Sequence, residues 1–333
     1  MVIRYNESYE LEWDNFVLEK SINGCFLQTR NFLNYHKNGK FIDHSLIFFK
    51  GEMIVAVMPA NEIGDELFSH QGSTFGGIVI GEQFASLAVY ECIFEELLDY
   101  LSEKGFRRIV IKTPNWLYCR KDIHIELLDY LYGLNGFEMQ GEVGFFIDLE
   151  KIADGFENKF ATLKRRKLKK AQKNSLIFKE LYLEHEIAEF YNVLEDNMEK
   201  FGTIPLHSLE ELLEFKNNRL TDIISFYGVY NHEEMIAGCM VFNFNNKKVF
   251  HTQYLASRHD KLELCPNEFL YANLIMEARR QEYRFLSYGT STLEHGTILN
   301  RSLALFKEGF NTESYINRTY SLENIERIKK ERE

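Results

Sequence analysis

Two stretches of this chain run through the same order of elements, and that order limits the fold more than any other feature. In the first, "HSLIFFKGEMIVAVMPANEI" reads as two β-rich runs around Lys50-Gly51-Glu52, a hairpin signal. A glycine-rich, strand-like segment follows, "ELFSHQGSTFGGIVI". Then come a helical pattern over 83–104 closed by Gly105, a buried strand "FRRIVIKTP", a helix around 122–134 and a strand at 144–149. In the second, "DIISFYGVYNHEEMIAGCMVFNF" is a pair of strand runs around Asn231-His232-Glu233. "KKVFHTQYLAS" is a strand, 266–282 a helix with Pro266 at its start, "RFLSYG" a strand, 297–308 a helix and "SYINRTYSL" a last strand. The strings "GEMIVAV" and "EEMIAGCMV" fall at matching places. Strands alternating with single helices predict an α/β (α+β) chain, with mixed sheets flanked by helices. The doubling predicts two similar domains, 1–152 and 153–333, the second opening on a basic linking helix at 156–173.

The remaining segments fit around this plan. Residues 185–201 read as a helix, and so does "YELEWDNFVLEKS", with apolar Leu11, Phe16 and Val17 around Trp13. In 156–173 the apolar positions are Phe156, Phe160, Leu163, Leu168 and Ala171. The tail "ENIERIKKERE" reads as a polar helix.

Composition narrows the class of function. With 28 Phe, 18 Tyr and only 4 Pro in 333 residues, the chain is built for compact cores. Thirty-nine Lys and Arg against 50 Asp and Glu give a net charge of -11. Such an acidic chain is not a general nucleic-acid binder, and no DNA partner is expected. Its five cysteines, Cys25, Cys92, Cys119, Cys239 and Cys265, are scattered and form no C-x-x-C pair, which fits a reducing, cytoplasmic setting. No secretory leader, membrane-spanning run or metal-binding histidine pattern is expected.

Three stretches could carry chemistry. "GTSTLEHGTILNRSLALFKEGF", Gly289 to Phe310, places small hydroxyl residues between a strand and a helix. That edge of an open α/β sheet is where ligands sit. On the helix, Leu299, Leu303, Phe306 and Phe310 form one stripe, with Lys307 at its margin beside Leu303. The lysine stem can lie on apolar surface while its ammonium reaches a pocket, with Phe306 supporting the charge. "KRRKLKK" puts Arg165, Lys169 and Lys173 on roughly one helical face, suited to phosphate or to solvent. His70 and Ser73 in "SHQGSTFGG" are candidates in the first domain. No Ser-His-Asp or Cys-His set is readable, so a covalent intermediate is not expected.

Four stretches, "FLQTRNFL", "TLKRRKLKKAQKN", "QYLASRHDKLELCPNEFLYANLIMEA" and the Gly289–Phe310 segment, resemble the Fem-type aminoacyltransferases. These build peptidoglycan cross-bridges and have acyltransferase relatives in surface-polysaccharide loci. The resemblance implies two tandem GNAT-like domains. It implies an N-acyltransferase that moves an acyl or aminoacyl group to an amine of a cell-envelope precursor. The acceptor would be an anionic sugar nucleotide, a lipid-linked sugar or a peptidoglycan stem peptide. Acyl-CoA would be the donor, with aminoacyl-tRNA as the alternative and no metal. A non-catalytic scaffold for anionic glycan or RNA is the rival class. By resemblance, Lys307, with Phe306, stabilises developing charge and Arg165 grips phosphate. Tyr254, Ser257, Asn267, Gly289 and Ser291 fall at pocket positions, and His70 and Ser73 complete the substrate-binding set. Three departures stand out. Thr113-Pro114 replaces the family's Asp-Pro, no coiled-coil insertion separates the halves, and 256–267 lacks the GNAT acetyl-CoA loop.

Overall fold

The computed structural model describes residues 1–35, 40–121, 124–200, 202–245 and 248–325. The chain divides into two compact units. One holds Met1–Glu142, Glu294–Thr297 and Ile316–Glu333; the other holds Val143–Leu293 and Ile298–Tyr315. Val143–Ile152, placed with the first domain by the sequence, belongs to the second unit. So the division falls at 142/143 rather than 152/153, inside a strand that sequence punctuation does not interrupt.

In the first unit, β1 (Val2–Arg4) is followed by the short helices α1 (Glu10–Asn15) and α2 (Arg30–Leu33). Then come β2 (Ile42–Asp43), the expected hairpin of β3 (Leu46–Lys50) and β4 (Met53–Met58), β5 (Asn61–Ile63), β6 (Glu66–Phe68) and β7 (Val79–Ile80). Helix α3 (Leu87–Glu103), β8 (Arg108–Thr113) and α4 (Ile125–Leu134) complete the motif. Strands β1, β3, β4 and β7 pair antiparallel. Strand β8 runs parallel to β6. Tyr90, Phe94, Leu97 and Leu101 of α3 bury one stripe at helical spacing against Phe48, Ile109 and Ile111. Leu11, read as apolar-facing, is 87% exposed; Trp13 takes the buried position instead.

The second unit begins within β9 (Glu138–Asp148) and continues through α5 (Thr162–Gln172), β10 (Ile177–Leu181), α6 (Glu184–Glu199) and α7 (Leu209–Glu214). The hairpin of β11 (Ile224–Asn231) and β12 (Glu234–Phe244) leads to β13 (Val249–Ser257), α8 (Pro266–Arg280) and β14 (Phe285–Thr290). A small ribbon, β15 (Thr292–Leu293) and β16 (Ile298–Leu299), precedes α9 (Arg301–Glu308). Strand β17 (Glu313–Glu323) starts in this unit, but from Ile316 onward the chain, placed with the second domain by the sequence, belongs to the first unit and pairs antiparallel with β8. The sheet runs β10-β11-β12-β13-β14-β9, antiparallel except for the β13–β14 pair.

Two helices differ from expectation. The 156–173 segment breaks at Phe160–Ala161 into a 3-10 turn (Phe156–Lys159) and α5. The helix expected from 297 starts at Arg301, because Ile298 and Leu299 pair with Leu293 and Thr292. The expected tail helix lies outside the described residues beyond Ile325.

Candidate functional site

The ladder between β13 and β14 is short. It joins Val249–His251 to Phe285–Ser287, although β13 continues to Ser257 and β14 to Thr290. Both strands are irregular just past that point. The β12–β13 register slips between Met240 and Val241, and the β14–β9 register slips between Ser287 and Gly289. A slip of this kind bends a strand and re-aims its groups. Here it releases backbone at the carboxyl end of a parallel pair, the edge where α/β sheets take ligands.

Gly289 sits at the bend with φ +68, a conformation that disfavours residues with a Cβ. The turn it makes points two carbonyls at one ammonium. Lys307 Nζ donates to Gly289 O at 3.1 Å and to Thr290 O at 2.5 Å. Lys307 is 4% exposed and is the buried residue of α9, whereas Leu299 and Leu303, expected on its apolar stripe, are 51% and 37% exposed. Among the described residues its hydrogen-bond partners are carbonyls, not carboxylates. Desolvation accordingly pulls its pKa from 10.5 down to about 7. An ammonium has three donors, and two are engaged here, so one remains for a ligand oxygen.

The ring of Phe306, expected to support Lys307, faces a different cation. The cation over the Phe306 ring is Lys164, with Nζ 3.3 Å from the centroid, and 4.8 Å from that of Phe310. Lys164 is buried and paired with buried Glu268 at 2.8 Å; Lys167 approaches the same carboxylate at 3.4 Å. Burial outweighs that carboxylate and lowers the Lys164 pKa to about 8. A Cβ on Gly309 would lie 2.9 Å from Lys164 Cγ, so the lysine stem needs the glycine there. Ala161 N–H also donates to Gly309 O at 2.9 Å, joining the start of α5 to the end of α9.

The other candidates divide into three groups. Ser291 is buried two residues past Gly289, with its N–H on Val143 O and its Oγ without a partner among the described residues. Asn267, half-buried at the start of α8, also has an unpartnered Oδ1, and half-buried Arg165 has an unpartnered Nε while Nη2 reaches Thr162 Oγ1 at 3.2 Å. The Tyr254 hydroxyl and the Ser257 backbone carbonyl are already engaged. The Tyr254 hydroxyl meets His207 Nδ1 at 2.7 Å, and burial raises its pKa; Ser257 O accepts from Asn197 Nδ2 at 3.1 Å. His70 and Ser73 lie in the first unit, folded into their own loop. His70 Nδ1 meets Gly72 N–H, its ring packs on Phe41, and Ser73 Oγ donates to Phe75 O at 2.9 Å.

Sequence reasoning missed five polar groups. Lys164 and Glu268 pair across 104 residues. His251, Ser287 and Tyr315 converge beside the Gly289 turn, with His251 Nδ1 3.1 Å and Tyr315 OH 3.2 Å from Ser287 Oγ. A signal for Lys164 was present. The spacing 164, 168, 171 carries Leu168 and Ala171, and the lysine shares their face. Leu163, taken as the apolar position, is 60% exposed.

An acyl-CoA would need a cradle for its diphosphate ahead of a helix, and the residues ahead of α8 do not fit one. The N–H groups of Lys261 and Cys265 bond within the turn, to Arg258 O and Leu262 O. The first helical turn also buries the Glu268 carboxylate, which already engages the ammonium groups of Lys164 and Lys167 beside it. Among the described residues, no cluster of His, Cys, Asp and Glu could hold a metal ion, and no helix is long and apolar enough to cross a membrane.

No family model and no curated protein matches this sequence. Solved structures do match. FemX aligns over 99% of both chains with TM-score 0.65 at 12% identity. The C-terminal domain of an Agrobacterium fabrum chain named for lysylphosphatidylglycerol synthesis aligns over 95% of this chain and 92% of its own, with TM-score 0.61 at 12% identity. A tandem GNAT protein from the clavulanic acid biosynthesis pathway aligns over 97% and 98%, with TM-score 0.57 at 9% identity. The fold is therefore that of two tandem GNAT-like domains, each a mixed sheet flanked by helices. Within that class the chain is similar along nearly its whole length to FemX.

Proposed function

We propose that this protein is an N-acyltransferase that moves an acyl or aminoacyl group to an amine of a cell-envelope precursor, with Lys307 stabilising the developing oxyanion. The observation that carries the reading is a buried ammonium held by two carbonyls, with no carboxylate partner among the described residues, where β13 and β14 part. The acceptor amine attacks the acyl carbonyl carbon. A C–N bond forms, and negative charge gathers on the carbonyl oxygen within reach of the third Nζ–H. Collapse breaks the bond to the leaving group, which departs with the proton lost by the amine. One aimed charge of this kind is worth about 3 kcal/mol or more of barrier. Ser291 Oγ and Asn267 Oδ1 supply unpartnered polar atoms for substrate, and Arg165 a guanidinium for phosphate. Gly289, Tyr254 and Ser257 shape the same strand ends, with His70 and Ser73 assigned to substrate binding in the first unit.

The names of FemX and of the lysylphosphatidylglycerol protein support an envelope acceptor. Because the α8 turn does not fit a diphosphate, no step is assigned to acyl-CoA. Aminoacyl-tRNA is the second reading for the donor. It is favoured by α5, where Arg166, Lys167, Lys169 and Lys170 are exposed and no acid interrupts 162–173. Thermal-shift and intact-mass screening with sugar nucleotides, acyl-CoAs and charged tRNA tests the substrate class. With a donor found, Lys307→Met should lower kcat about 10²–10³-fold, and the wild-type rate should fall as pH rises past about 7. A variant as active as wild type defeats the mechanism.

A further inference from the structure

Ser287 is fully buried in β14, where the strand leaves its ladder with β13. Its Oγ accepts the N–H of Gly289 at 3.2 Å, meets His251 Nδ1 at 3.1 Å and meets Tyr315 OH at 3.2 Å. Its carbonyl accepts from Thr252 Oγ1 at 3.0 Å. A serine hydroxyl has one donor and two acceptor sites, so these contacts fill it. A serine beside a histidine can be a nucleophile when the hydroxyl faces substrate. This one is 0% exposed and fully engaged, which leaves it a structural strut.

The strut acts on Lys307 through the Gly289 residue, whose N–H and C=O lie in consecutive peptide planes. Gly289 N–H is held by Ser287 Oγ, and Gly289 O and Thr290 O are held by Lys307 Nζ. Fixing the N–H side of the turn sets where the carbonyls point. We infer that Ser287, held by His251, is the positioning residue of the lysine site, locking the Gly289 turn so that two carbonyls face Nζ and its third donor stays aimed. His251 is also the titratable group that feels Lys307. Burial first, and the Lys307 charge second, keep its imidazole neutral, with a pKa of about 4. Neutrality lets it hold Ser287 without repelling the ammonium. The assignment of a catalytic consequence rests on the acyl-transfer reading; the positioning itself does not.

The test follows Lys307 directly, by the pH dependence of its ¹³Cε NMR signal in the lysine-labelled full-length chain, with Lys307→Met identifying the peak. Wild type should titrate near 7. Ser287→Ala frees the turn and lets water relieve the desolvation, so the midpoint should rise by about one pH unit or more. Tyr315→Phe and Thr252→Val, which leave the Gly289 N–H contact intact, should not move it. If Ser287→Ala fails to fold, Ser287→Cys, a weaker acceptor of the same shape, should give a smaller rise. An unmoved midpoint in the serine variant that folds, or equal shifts in Tyr315→Phe, overturns the inference. With a donor found, Ser287→Ala should lower kcat while KM holds. A moved midpoint in a protein that transfers no acyl group would keep the strut and defeat the functional reading.

Discussion

Lys164 Nζ stands 3.3 Å above the Phe306 ring while its charge is met by Glu268 at 2.8 Å, so α5, α8 and α9 meet at one buried ion pair. Two oppositely charged groups in a dry core gain little over apolar residues of equal size, but one left alone is costly.

That asymmetry gives a prediction. Lys164→Met and Glu268→Leu should each cost about 3–5 kcal/mol of unfolding free energy. The double variant Lys164→Met/Glu268→Leu should regain at least half of the summed loss. Urea titrations of the four proteins close the cycle. Additive losses would show that the two groups do not act as a pair.

Two buried histidines predict acid sensitivity. Burial lowers the pKa of His70 and of His251 from 6.5 to about 4. The unfolded chain then binds the extra protons between those values, so stability is full above pH 6.5 and is lost as pH falls toward 4. Each group accounts for about 3 kcal/mol across that window. Asp129 works in the opposite sense, since burial raises its carboxyl to about 6 and favours the fold as it protonates. His251→Gln and His70→Asn should each flatten the loss of thermal stability between pH 6.5 and 4.5. Asparagine suits position 70 because φ there is +70. Acid profiles that superimpose on wild type would rule this out.

The sequence made the repeated architecture legible because strand and helix periods are local. Both hairpins turn where Lys50-Gly51-Glu52 and Asn231-His232-Glu233 predicted, and Gly51 and His232 take the positive φ such turns need. Lys307 was legible as a lysine out of place beside an apolar helix. Its surroundings were not. The helical phase was set on Leu299, Leu303 and Leu163, all exposed, whereas the buried rows hold Lys307 and Lys164. A lysine on an apolar row reads as a surface residue unless its partner is known. Glu268, 104 positions from Lys164, is invisible to any local pattern. Ser287, His251 and Tyr315 come from three strands and meet only once the sheet is assembled.

Gly289 and Gly144 separate two demands on glycine. A Cβ at 289 would meet His251 Cε1 at 3.6 Å, an ordinary contact, so the cost there is the positive φ. Gly289→Ala should therefore lose only about 1–2 kcal/mol yet shift the ¹³Cε titration of Lys307. At 144 a Cβ would fall 2.2 Å from the Tyr315 ring. Gly144→Ala must displace that ring and should cost more in a urea titration. Equal losses would show that Tyr315 yields freely.

Lys307 itself should make the protein less stable than it could be. Its pKa is about 7 in the fold against 10.5 in an ordinary lysine. Below pH 7 both states hold the proton and the full penalty stands; between 7 and 10.5 only the unfolded chain holds it, so stability climbs with pH. At neutral pH the penalty is on the order of 4 kcal/mol. Lys307→Met removes it but leaves the carbonyls of Gly289 and Thr290 without their donor, which costs about 1–3 kcal/mol. The variant should thus melt a few degrees above wild type at pH 7, and the gap should shrink and then reverse as pH approaches 10. Calorimetry across that range decides it. A gap that stays constant with pH would mean that the Lys307 ammonium is as well solvated in the fold as in the unfolded chain, and the charged group proposed for acyl transfer would lose its low-dielectric advantage.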